Sequence, residues 1–124
     1  MQLELFKGNY AVCSLDSNVS SPIFVDTNDF YYITNIKDQL SLICSDENIP
    51  SDMEIDKEWK ILKILEPLNL YLVGILNKIE RILKDAKINI FEISTFDSDY
   101  ILVKNKDIEY ALKALTCNGY EIVQ

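Results

Sequence analysis

Residues 72–86 constrain this chain more than any other stretch. Leu72, Ile75, Leu76, Ile79, Ile82, Leu83 and Ala86 recur at helical spacing. Asn77, Lys78, Glu80, Arg81, Lys84 and Asp85 fill the positions between them. The pattern sets an apolar stripe on one side of a helix and a polar face on the other. Such a stripe must be buried against another layer, so the neighbouring segments have to supply one.

They read as strands. Trp59 to Leu65 (WKILKIL) alternates, with Trp59, Ile61 and Leu65 on one side. Ile88 to Phe96 and Tyr100 to Val103 are β-prone runs around Asp97-Ser98-Asp99. A second helix follows, with Asn105 or Asp107 as its cap and Ile108, Ala111, Leu112 and Leu115 facing in. Gly119 stands where a helix end wants a left-handed residue, and Tyr120 to Val123 forms a last strand. The order β-α-β-β-α-β predicts an α+β, ferredoxin-like unit: an antiparallel sheet with both helices on one face.

The first half has strands without clear helices. Leu3 to Phe6 and Tyr10 to Leu15 flank Lys7-Gly8-Asn9, which predicts a hairpin turn. Residues 16–29 read as a polar loop anchored by Ile23, Phe24 and Val25. Phe30 to Ile36 and Leu40 to Cys44 form a second hairpin about Lys37-Asp38, and residues 45–58 are polar and contain Pro50. The expected organisation is two tandem lobes: a degenerate one over 1–58 and a complete one over 59–124.

Composition removes several functions. Twenty Asp/Glu against twelve Lys/Arg give a net charge of −8, which disfavours nucleic acid and anionic membranes as partners. The chain has no histidine, so Ser-His-Asp, Cys-His and His-metal chemistry are excluded. Cys13, Cys44 and Cys117 lack a CxxC spacing and read as reduced thiols. The opening MQLELFKGNY lacks the features of a secretory leader, and no apolar run is long enough to span a bilayer. A cytoplasmic location is expected.

The loop from Pro67 to Gly74 enters the first helix. Amides at a helix start favour an anion such as a carboxylate, and a glycine there permits close approach. Ser94, Thr95, Asp97 and Asp99 offer hydroxyl and carboxylate acceptors for an ammonium group. Together they suit a zwitterionic amino acid. The same residues serve equally as helix packing at Gly74 and a solvated turn at Asp97-Ser98-Asp99.

The run NIFEISTFDSDYILV (89–103), preceded by EPLNLYLVGILNKI (66–79), resembles the ACT-domain proteins. With the pieces YAVCSL, FYYITN, LSLICSDENIP and WKIL, it is most similar to the small two-lobed bacterial group related to the CASTOR-type cytosolic arginine sensors. The resemblance spans nearly the whole chain. It implies tandem βαββαβ lobes that pair through their sheets and again across a homodimer, with amino-acid binding that regulates something else. It places ligand contacts at Val73, Gly74 and Ile75, and at Thr95, Phe96 and Asp99. In that scheme the amides of Gly74 and Ile75 hold the α-carboxylate. Asp99, with Asp97, holds an ammonium or cationic side chain, Thr95 adds its hydroxyl and Phe96 lines the pocket. Tyr71, just before Gly74, is a further candidate. Local acidity favours a basic or neutral ligand.

The expected function is therefore a non-catalytic small-molecule sensor with no cofactor and no metal, acting through self-association or a separate protein partner. The rival is a ligand-independent interaction module built on exposed strands such as Phe30-Tyr31-Tyr32. An enzyme is disfavoured, because the EF-hand, Walker and GxSxG patterns are missing and Asp97-x-Asp99 alone is a weak metal signal.

Overall fold

The two-sided helix forms where its pattern places it, and four strands of the second half together with one from the first build the layer it rests on. This is seen in a computed structural model of the chain, which describes residues 2–15, 29–36, 39–47, 49, 54–65, 74–95 and 98–124. The strands are β1 (Gln2–Leu5), β2 (Tyr10–Leu15), β3 (Tyr31–Ile36), β4 (Gln39–Ser45), β5 (Glu54–Ile64), β6 (Ile90–Ser94), β7 (Asp99–Lys104) and β8 (Glu121–Val123). The helices are α1 (Ile75–Asp85) and α2 (Ile108–Cys117), the latter preceded by a 3-10 turn at Asn105–Asp107. The chain divides into two compact units, Gly8–Trp59, and Met1–Lys7 with Lys60–Gln124.

In the unit that contains Lys60–Gln124, the run from β5 to β8 has the expected βαββαβ order. β6 and β7 pair antiparallel from Ile90↔Val103 to Ser94↔Asp99, and β7 also pairs with β5. β1 then takes a place that local sequence does not announce. It pairs antiparallel with β5 (Leu3↔Ile64, Leu5↔Leu62) and parallel with β8 (Gln2↔Glu121, Glu4↔Val123). The last strand of the βαββαβ run thus meets the first only through β1.

The core of this unit joins strand residues Leu3, Leu62, Ile64, Ile101 and Val103 to Ile79 and Leu83 of α1 and Ile108, Ala111 and Leu115 of α2. Each large aliphatic side chain buried this way contributes about 1.5–3 kcal/mol. Both helices end in the same device. Tyr120 N–H donates to Leu115 O (3.1 Å) and Gly119 N–H to Thr116 O (3.1 Å), with Gly119 left-handed at φ +92°. At the end of α1, Ile88 N–H donates to Leu83 O (2.9 Å) and Lys87 N–H to Lys84 O (2.9 Å), with Lys87 at φ +62°. These are Schellman closures that satisfy the last carbonyls. Gly119 behaves as its sequence position predicts; Lys87 adopts the same conformation without being a glycine.

In the unit Gly8–Trp59, β2 pairs antiparallel with β4 and with the first part of β5, and β3 pairs with β4. Its core is Ala11, Cys13, Leu42 and Cys44, with Leu40, Ile49 and Ile55 packed against it. The second hairpin is as expected, since Ile36 pairs with Gln39 across residues 37–38. The described residues of this unit contain no helix; the anchor at Ile23, Phe24 and Val25 lies outside the described residues. Cys13 and Cys44 are buried, Cys117 is exposed and none of the three is in a disulfide.

Two expectations are corrected. Lys7-Gly8-Asn9 is not a hairpin turn, because β1 and β2 do not pair with each other. Gly8 does adopt φ +84°; the sequence marks that conformation correctly but not its use. Part of the polar stretch 45–58 is strand, since Glu54, Ile55 and Asp56 pair with Ser14, Cys13 and Val12. A half-buried strand needs only alternate inward residues, and Ile55 supplies one. The register shifts between this pairing and Tyr10↔Trp59, beside Glu58 at φ +68°, which marks a β-bulge.

Among the described residues, no helix is long and apolar enough to cross a membrane.

Candidate functional site

The entry to α1 is built by Gly74, which stands at the N-cap with φ +100° and ψ −3°. A side chain would find open space there, since a Cβ would meet nothing within 4 Å. The demand for glycine is therefore conformational: only a residue without a Cβ adopts this left-handed geometry without strain. Lys78 N–H donates to Gly74 O (2.9 Å), closing the first turn of the helix. Among the described residues, no side chain caps the helix, and its first turn holds no acidic residue. The leading amides, beginning with Ile75, thus keep the positive end of the helix dipole unneutralised by a side chain.

The β6–β7 connection is tied by two residues. Thr95 N–H and Thr95 Oγ1 both donate to Ser98 O, at 2.8 and 3.0 Å, and Ser98 N–H donates back to Thr95 Oγ1 at 3.1 Å. The single hydroxyl proton of Thr95 is thereby used, and its oxygen keeps one free acceptor position. Asp99 begins β7 opposite Ser94 and is half-buried. Thr95 and Asp99 are brought together at one end of the β6–β7 ladder. The hydrogen bond of Gly74 is internal to the entry of α1, and those of Thr95 are internal to the turn. Tyr71, Val73, Phe96 and Asp97 lie outside the described residues.

Strand alternation adds two groups. Glu92 pairs with Ile101, and Ile101 belongs to the core under the helices. Ile90, Glu92 and Ser94 therefore face the helix layer, as do Asp99, Ile101 and Val103. Burial pushes the Glu92 carboxyl above its ordinary value of 4.5. The charge of Glu80 and a hydrogen bond with it push the same way, as does the charge of Asp99. Glu80, on α1, thus lies against Glu92 of β6. Neither was singled out in the sequence, although the signal was there: the run Ile90-Phe91-Glu92-Ile93-Ser94 puts an acidic residue on a helix-facing position. Among the described residues, no group of three or more His, Cys, Asp or Glu side chains is arranged to hold a metal ion.

The arrangement offers two complementary features in one unit. One is an uncapped helix start suited to a carboxylate. The other is a cluster of carboxyls, Glu80, Glu92 and Asp99, suited to a cation.

The family model described as the ACT domain matches residues 54–117, just over half of the chain. A second model, described as an N-terminal domain, matches residues 8–52. No curated protein matches. Among solved structures, a crystal structure of an Agobacterium tumefaciens protein is 30% identical with a TM-score of 0.91, covering 98% of this chain and 91% of that one. A Vibrio cholerae protein of unknown function is 20% identical with a TM-score of 0.72, covering 93% and 87%. A protein from Porphyromonas gingivalis, described as a C-terminal regulatory domain of aspartate kinase, is 21% identical with a TM-score of 0.61, covering 93% and 94%. The last two likenesses are of fold.

Proposed function

The chain belongs to the ACT-domain family, and we propose that it is a non-catalytic regulatory protein that binds an amino acid at the entry of α1. The observation that carries this reading is the N-terminus of α1: Gly74 at φ +100°, no side-chain cap among the described residues and no acidic residue in the first turn. The amides of Gly74 and Ile75 hold the α-carboxylate. Asp99 takes the ammonium or a cationic side chain, and Thr95 accepts a hydrogen bond through its remaining lone pair. Val73, Tyr71, Phe96 and Asp97 complete the pocket in this proposal. Burial raises Glu92 most and the charges of Glu80 and Asp99 add to it; a cation relieves the charge part, which favours a basic over an acidic ligand. That preference agrees with the resemblance of residues 89–103 to the two-lobed arginine-sensor type.

With no catalytic part in the proposal, the signal passes through association. Ligand binding favours one assembly state, a homodimer paired through its sheets or a complex with a protein partner, by the difference in its affinity for the two states. A cytoplasmic location belongs to the same reading. The likeness to an aspartate kinase regulatory domain supports a regulatory role.

A thermal-shift screen with the twenty amino acids tests the site, because a ligand specific for the folded state raises the melting temperature by mass action. A basic amino acid should stabilise the protein, and Asp99→Ala should abolish the shift. If no amino acid stabilises the wild-type chain, the reading fails.

A second reading, a ligand-independent assembly module, is favoured by the edge strand β3, where Tyr31 and Ile33 are 43% and 41% exposed. Sedimentation with and without amino acids separates the two: association unchanged by any amino acid supports the second.

A further inference from the structure

The opposite end of α1 opens on a cleft of about 380 Å³ formed with α2. This volume lies within the range that small-molecule sites occupy, roughly 300–1,000 Å³. Ala86, Lys87 and Ile88 at the exit of α1 line one side, and Tyr110 and Ala114 of α2 line the other. The lining is mostly apolar, with Ile88 buried and Tyr110 72% exposed, and it includes three charged side chains. Lys87 and Lys113 both line the cleft, and neither forms an ion pair among the described residues. Asp107 also lines it and the carbonyl end of α1 opens on it, so the two ammonium groups face one carboxylate and the negative end of a helix dipole.

Lys87 carries a second indication. It occupies the left-handed position of the α1 closure, where the corresponding position of α2 is Gly119. A lysine there is strained in a way a glycine is not. The closure itself does not need the side chain. What the lysine adds is an ammonium group at the mouth of the cleft.

We infer that this cleft is a binding site for a small organic monocarboxylate with an apolar body. The carboxylate meets Lys87 and Lys113, and the apolar body packs against Tyr110, Ala86 and Ala114. The carboxylate pairs with the two ammonium groups, and an amphipathic ligand matches a mostly apolar lining that carries two cations. The site is separate from the entry of α1, because the eleven residues of the helix set its two ends about 16 Å apart.

Cys117 lines the same cleft and is exposed, whereas Cys13 and Cys44 are buried. Its reaction with a thiol reagent therefore reports occupancy in the intact chain. Phenylacetate should slow the labelling of Cys117 saturably, and 2-phenylethylamine, similar in shape but opposite in charge, should not. Amide NMR shifts on adding phenylacetate should cluster at residues 86–88 and 107–117. The double variant Lys87→Gly, Lys113→Gln removes both charges and relaxes the backbone at 87, so it should fold. It should bind phenylacetate about tenfold more weakly or worse. Gly74→Ala and Asp99→Asn should leave phenylacetate binding intact, which separates this site from the amino-acid site. Absence of protection at about 20 mM phenylacetate, equal protection by the amine, or wild-type affinity in the double variant overturns the inference.

Discussion

Thr95 and Ser98 hydrogen-bond each other in both directions, with Thr95 Oγ1 donating to Ser98 O at 3.0 Å and accepting from Ser98 N–H at 3.1 Å. The hydroxyl therefore acts as a staple for the β6–β7 turn before it acts on any ligand. Thr95→Val keeps the shape and removes both bonds. It should destabilise the protein by about 1 kcal/mol in urea unfolding, since the site is exposed and water competes. Thr95→Ser should retain most of the stability. A larger loss for Thr95→Ser than for Thr95→Val would mean that the methyl group, not the hydroxyl, matters.

Leu3 is fully buried in the core that α1 and α2 cover. Leu3→Ala should cost about 2–5 kcal/mol. The loss should appear in hydrogen exchange of α1 and β8 rather than of β3 and β4. Protection lost mainly in β3 and β4 would place β1 in the wrong unit.

What was legible in the sequence follows from how local each signal is. The stripe from Ile75 to Leu83 fixes α1 because every contact it needs lies on one face of one element. Gly119 announces its helix end for the same reason. β1 is different. Its pairing with β8 joins Gln2 to Glu121, and nothing near residue 2 encodes a partner so distant. Gly8 shows the intermediate case: its positive φ is local and was readable, but whether the chain then reverses depends on β5, β4 and β8. At the site, Gly74 and Asp99 stand out by residue type. Glu92 does not, because its role arises from facing Glu80 across two elements.

Gly74 and Gly119 both sit at strongly positive φ with no atom near a would-be Cβ. An alanine at either position meets backbone strain alone. Each substitution should cost about 1–2 kcal/mol, read as a shift in the denaturation midpoint. Asparagine, which tolerates this conformation better, should cost less at both. A much larger loss for Gly74→Ala would point to a steric contact instead.

Glu92 makes stability depend on pH. Its carboxyl is raised in the folded state, above its ordinary value of 4.5, by burial, Glu80 and Asp99. The folded protein therefore holds this proton to a higher pH than the unfolded chain does, and stability falls as pH rises through that interval. Glu92→Gln should raise the melting temperature near about pH 7 and lose that advantage below about pH 4. A gain that is the same at both pH values would remove the carboxyl from the explanation.

The parallel pairing of β1 with β8 also sets the order in which the protein can be made. The side chains of Gln2 and Glu121, 119 positions apart, meet at 3.5 Å. During synthesis β1 has to wait, unpaired along one edge, until the ribosome has delivered β8 more than a hundred residues later. Closing so large a loop slows folding more than it weakens the folded state. The waiting strand is the point at which a nascent chain is most exposed to pairing with a neighbour of its own kind.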